Sequence, residues 1–149
     1  MFFYFSTVEQ VYYIELKTMS KKVLFINNVT NHSIVPELLA RTGYGVDVAY
    51  NSAAGLQRLD KQDYDVTIVL ESPDAESWQL CEKIRAVTTV PLILISSHAS
   101  TETCVKAINA GADYFMRRPF GPLELLARVN SLLQRTASRQ PVPLGSQGY

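Results

Sequence analysis

The sequence predicts an α/β fold in which a parallel sheet of five strands is covered by helices on both faces. Three observations carry the prediction. Short continuous apolar runs recur, Val23–Ile26, Val66–Leu70 and Leu92–Ile95 among them, the pattern of a strand buried on both sides. Amphipathic segments at helical spacing stand between these runs. Residues that cap helices or turn the chain separate the two patterns. Repeated strand–helix alternation joined by right-handed crossovers gives a doubly wound, three-layer sheet.

The elements follow in order. Val23-Leu24-Phe25-Ile26 is the first strand. Ser33 is placed to cap a helix carrying Ile34, Val35, Leu38 and Leu39, with Pro36 tolerable in its first turn and Gly43 as its stop. A second strand spans Tyr44–Tyr50, and Ser52 opens a helix with Leu56 and Leu59 on one side. Val66–Leu70 is the third strand; Leu80, Ile84 and Val87 mark the next helix. Pro91 leads into the fourth strand, Leu92–Ile95. Thr101–Ala110 reads as a helix ended by Gly111, and Tyr114–Met116 as the fifth strand. The stripe Leu123, Leu126, Val129, Leu132 and Leu133 defines a last helix running to about Arg135.

Composition bounds the class. The 149 residues carry 14 basic and 14 acidic side chains, which excludes a generally basic nucleic-acid coat. No apolar run approaches the ~20 residues that span a bilayer. Cys81 and Cys104 show no zinc-ligand spacing and read as small apolar residues, and His32 and His98 lie too far apart in sequence to argue for a metal. Tyr44 reads as a packing residue and Trp78 as a surface one. Together these features point to a soluble cytoplasmic domain over residues 21–136. Ahead of it, residues 1–20 form an extension holding six of the fifteen aromatics. That extension is either an added docking segment or sequence upstream of a start at Met19. Residues 137–149, rich in Ser, Pro, Gly and Gln, read as a flexible tail or linker.

In doubly wound sheets the working crevice lies at the carboxyl ends of the strands. The loops after Ile26, Leu70, Ile95 and Met116 are therefore where chemistry is expected. There the segments KKVLFINN, YDVTIVLESPDAESWQLCEKIR, VPLILISS and GADYFMRRPF, followed by ELLARVNSLLQR, resemble the CheY-like receiver domain of two-component response regulators, nearest to OmpR-type receivers. The resemblance implies a flavodoxin-like (βα)5 fold with strand order 2-1-3-4-5 and a signalling module rather than an enzyme. It also implies aspartyl phosphorylation assisted by Mg²⁺, and here the chain departs from the pattern. The family's acidic pair falls on Asn27 and Asn28, its Ser/Thr on Ser96, and its Lys-Pro on Arg118-Pro119. The switch aromatic falls on Phe115, for which plain core packing is the competing reading. The acceptor position falls on Leu70, with Glu71 one residue later.

Mg²⁺ prefers near-octahedral oxygen coordination in which carboxylates neutralise its charge. Two asparagines supply only neutral oxygens, and Arg118 adds a permanent positive charge. A unit charge pair at ~4 Å is worth about 4 kcal/mol at an effective dielectric of 20, so exchanging carboxylates for amides removes most of the attraction. The expectation is a pseudo-receiver with no metal and no cofactor. Glu71, if turned inward, would be held by Arg118 as an internal imitation of the phosphorylated state; otherwise it faces solvent and Arg118 packs beside Pro119. A receiver with a relocated acceptor, Glu71 or Ser96, and a small-molecule or anion sensor using the same crevice are the alternatives.

The OmpR-type resemblance further implies a homodimer through the fourth helix, fifth strand and fifth helix, with a histidine kinase or other signalling protein as partner. Glu124 and Arg128 match charged positions of that dimer's last helix, or form an ordinary i,i+4 pair. Cys104 stands where the fourth helix usually carries a basic residue, and Tyr114 replaces the second acid of the family's G-A-D-D. No DNA contact by this domain itself is expected.

Overall fold

The computed structural model describes residues 21–29, 31–72, 77–97 and 100–138. The aromatic extension, His98 and the tail beyond residue 138 lie outside them. Five strands and five helices alternate: β1 (Lys22–Asn27), α1 (Val35–Arg41), β2 (Gly45–Ala49), α2 (Ser52–Lys61), β3 (Val66–Glu71), α3 (Ser77–Val87), β4 (Leu92–Ser96), α4 (Thr101–Asn109), β5 (Tyr114–Arg117) and α5 (Pro122–Ser138). All strand pairs are parallel and the order is β2-β1-β3-β4-β5, the expected topology.

The continuous apolar runs fill both faces of the sheet because alternate side chains point to opposite sides. Val23, Phe25, Val66, Ile68, Leu70, Ile93 and Ile95 pack with Val35 and Leu39 of α1 and with α5. On the other face, Leu24, Ile26, Val69, Leu92 and Leu94 meet Leu59, Leu80, Cys81, Ile84 and Ala107 from α2, α3 and α4. This parity later decides which crevice residues can meet.

Local chemistry sets the helix starts, with one change from expectation. α2 opens at Ser52 as expected, capped by Asn51, whose side chain accepts from Ala54 N at 2.7 Å. Ser33 does not occupy the cap position of α1, which is Ile34, yet its Oγ still accepts from Val35 N at 3.2 Å. Ser100 caps α4 through Thr103 N. Gly111 turns the chain after α4 at φ 119°, the left-handed region where a side chain is strained. At Gly55 of α2 an added Cβ would lie 2.4 Å from Ile26 Cδ1, so glycine is what lets α2 press onto β1.

The last helix corrects the sequence reading. Leu123 is 80% exposed, whereas Leu125 is fully buried together with Val129 and Leu132. The apolar stripe therefore starts two residues later than Leu123, with Leu126 and Leu133 flanking it. Val87, read as part of the buried stripe of α3, is also exposed.

Candidate functional site at the carboxyl end of the sheet

The strand ends bring the predicted crevice residues close, but the parity of the sheet sorts them into two groups. Asn27 is in register with Leu70, and Glu71 with Ser96. Leu70 belongs to the α1/α5 side, so Glu71, the next residue, turns to the α2/α3 side. Glu71 and Ser96 are both buried, at 4% and 1% exposure.

Glu71 therefore faces inward, and Asn28 holds it. The Asn28 Nδ2 amide donates to Glu71 Oε1 and to Ser52 Oγ, the latter at 2.9 Å. An asparagine side chain has two N–H donors, and both are used here. The backbone fixes the geometry: Asn28 N donates to Leu70 O at 2.9 Å, extending the β1–β3 ladder one residue past the strand. Sequence reasoning missed Ser52 in this role. Its signal was its place at the start of the helix after β2, since those helix starts lie at the carboxyl end of a parallel sheet.

Asn27 has a different task. Its Oδ1 accepts from Val29 N at 3.0 Å and its Nδ2 donates to Asn31 O at 3.4 Å. Both ends of the amide brace the β1–α1 loop, the common local use of an asparagine side chain.

Arg118 is not the partner that the sequence reading offered for Glu71. It is exposed, and among the described residues its side chain takes part in no ion pair. Its backbone N donates to Ser96 O at 3.0 Å, and the Arg118–Pro119 peptide is cis. The residue lines a cleft on the α1/α5 side together with Leu70 and Leu38. One residue of offset thus separates the carboxylate from the guanidinium.

Glu71 is the single carboxylate among these pocket residues, and it already accepts from Asn28. Among the described residues no three His, Cys, Asp or Glu side chains converge. A hard divalent cation seeks several oxygen ligands with charge behind them; this donor set does not fit one.

The remaining predicted residues lie on the β5 side. Phe115 is half-buried, packed against the α2–α4 side of the core. Arg128 does not pair with Glu124 among the described residues; its guanidinium lies over the Tyr114 ring at 4.7 Å, with Arg135 on the same ring at 5.2 Å. A hydrogen bond with Ser131, together with the two guanidinium groups, holds the Tyr114 phenol below its ordinary pKa. Cys104 is half-buried on α4. Trp78, expected at the surface, is half-buried under the Lys106 ammonium at 4.6 Å.

A five-stranded parallel sheet of order 2-1-3-4-5, with a polar crevice at the carboxyl ends of its strands, is the flavodoxin-like architecture of CheY-like domains. Residues 27–130 match the family model described as the response regulator receiver domain, and the chain belongs to that family. It is 30% identical over 125 residues to the response regulator ArlR of Staphylococcus saprophyticus, covering 83% of this chain and 57% of that protein. It is 31% identical over 119 residues to the regulatory protein VanR of Enterococcus faecium, covering 78% and 52%. The chain thus spans a little over half the length of these relatives. Among solved structures, a CheY-like receiver domain protein from Methanospirillum hungatei superposes with TM-score 0.70 at 26% identity, covering 80% of this chain and 98% of that one. A two-component response regulator from Clostridium difficile gives 0.70 at 27%, covering 78% and 98%.

Proposed function

We propose that this receiver works as a protein-interaction module in signal transduction or transcriptional regulation, without Mg²⁺-dependent aspartyl phosphorylation. One observation supports the reading: Leu70, on which the family's acceptor position falls by sequence, is apolar, and the adjacent Glu71 is buried on the opposite side of the sheet and bonded to Asn28. Asn27 and Asn28 stand where a working receiver keeps its acidic pair, and both amides are engaged within the protein. Regulation then rests on what binds the domain: a second copy across α4, β5 and α5, or another signalling protein such as a histidine kinase. Tyr114, Arg128, Glu124 and Cys104 lie on that face. On that face Arg128 and Arg135 lie over the Tyr114 ring, where the family resemblance would put a charged clasp.

The test is direct. Incubation with acetyl phosphate and Mg²⁺, followed by intact-mass measurement, is expected to leave the mass unchanged. An added phosphoryl group, on Glu71, Ser96 or elsewhere, would overturn the reading. Sedimentation of the untreated protein addresses the dimer: Tyr114→Asp, which places an acid between the two arginines, is expected to shift the monomer–dimer balance, whereas Glu37→Gln on α1 is not.

A further inference from the structure

We propose that the cleft beside Arg118 is a binding site for a small carboxylate carrying an apolar body, such as a medium-chain or aromatic acid. The proposal rests on the reading that residue 70 carries no phosphoryl group, and names what occupies that side of the crevice instead. The cleft has a volume of about 340 Å³, within the range of small-ligand sites, roughly 300–1,000 Å³. It lies between the start of α1 and the β5–α5 connection.

Its lining has one chemical sense. Val35, Leu38, Leu70 and Phe120 supply apolar wall. The polar members are Arg118, His32 and Ser33, and no acidic side chain among the described residues lines it. Arg118 is exposed and outside every ion pair among the described residues. Among the described crevice residues the carboxylate is Glu71, which lies on the other side of the sheet, bonded to Asn28. A guanidinium presents a planar fork of donors that fits a carboxylate with two parallel hydrogen bonds. A bound acid would set its carboxylate against Arg118, above Leu70, and bury its hydrocarbon between Val35, Leu38 and Phe120. It would supply, reversibly and from solution, the negative charge that Leu70 lacks. The apolar walls favour such a ligand over inorganic phosphate, which would forfeit their contact.

The same surface touches the first turn of α1 and the loop into α5. Occupancy would therefore couple to the β5–α5 face where Arg128 lies over Tyr114, and that coupling is reciprocal.

Calorimetric titration of the full chain with hexanoate and phenylacetate, alongside acetate, hexanol and inorganic phosphate, tests the site. Saturable binding of the two amphipathic acids is expected, at least tenfold tighter than acetate, hexanol or phosphate. Arg118→Gln is expected to weaken hexanoate about tenfold or more, the value of a charge-assisted bond. Leu38→Trp, which fills the cleft, should abolish binding, and Leu123→Ser outside it should leave binding intact. Amide chemical shifts should move for the non-proline residues of 32–38 and 118–121. Equal binding of hexanol and hexanoate, no binding at all, or indifference to Arg118→Gln would overturn the proposal. Failure here leaves the acetyl phosphate result standing, whereas phosphoryl uptake removes the underlying reading even if hexanoate binds.

Discussion

At the scale of single residues, two polar side chains stand in opposite situations. Thr67 on β3 is fully buried and its hydroxyl has no partner among the described residues. A buried donor left unmade costs roughly 1–3 kcal/mol. Thr67→Val keeps the shape and removes the hydroxyl, so the variant should unfold at higher denaturant, by about 1 kcal/mol in stability. Asn28 is the reverse case, a satisfied group that satisfies another. Asn28→Ala strips the buried Glu71 of a donor and is expected to cost about 1–3 kcal/mol. A cycle with Glu71→Leu, which removes the acceptor, checks the assignment: the two losses should fall short of additivity, because residues in contact share one interaction. Strict additivity would mean that Asn28 acts through something other than Glu71.

At the scale of elements, α3 is fastened to the β4 and β5 edge by one side chain. Arg85 Nε donates to Gly111 O at 2.9 Å, one terminal nitrogen to Val90 O, and the other to Asp113 Oδ2 at 2.8 Å. Asp113 Oδ2 also accepts from Leu92 N at 2.8 Å. The clamp joins the end of α3, the start of β4 and the turn before β5. A lysine has a single nitrogen and cannot span three acceptors. Arg85→Lys should therefore destabilise by about 1–3 kcal/mol, visible as faster amide exchange at residues 110–113 and 90–92. Protection unchanged at both places would show that the edge is held by the strand ladder alone. The same scale explains the phase of α5: Leu125, Val129 and Leu132 face the sheet, and Leu123 starts the helix on its outer side.

At the scale of the whole molecule, the α2–α4 side of the core contains a fully buried ionisable group. Cys81 is fully buried, and burial pushes its thiol pKa from 9.0 to about 11. Arg85 opposes this by attraction, and Glu71 adds to it by repulsion. Folding thus favours the protonated thiol. The associated stability is complete below pH 9 and is lost as pH rises through about 11, an effect of a few kcal/mol at about 1.4 kcal/mol per pKa unit. Chemical denaturation between pH 8 and 11 should show this decline, and Cys81→Ala should flatten it. The same burial predicts that, between the two cysteines of the chain, Cys104 alkylates in the native state while Cys81 waits for unfolding.

Much of the fold was legible in the order of residues. The five strands were visible as apolar runs and the helices as amphipathic spacing, because burial on both faces leaves a local signature that needs no partner to read. The family resemblance likewise located Asn27, Asn28, Ser96 and Arg118 at the strand ends. What the tertiary structure decided is which of them meet. Glu71 and Asn28 are 43 positions apart, and their contact depends on the register of β3 against β1. A shift of one residue sends a strand side chain to the opposite face of a sheet. That parity joins Glu71 to Asn28 and Ser52, and leaves Arg118 beside Leu70 in an apolar cleft. Composition and periodicity are properties of neighbours along the chain; the identity of a site is a property of neighbours across it.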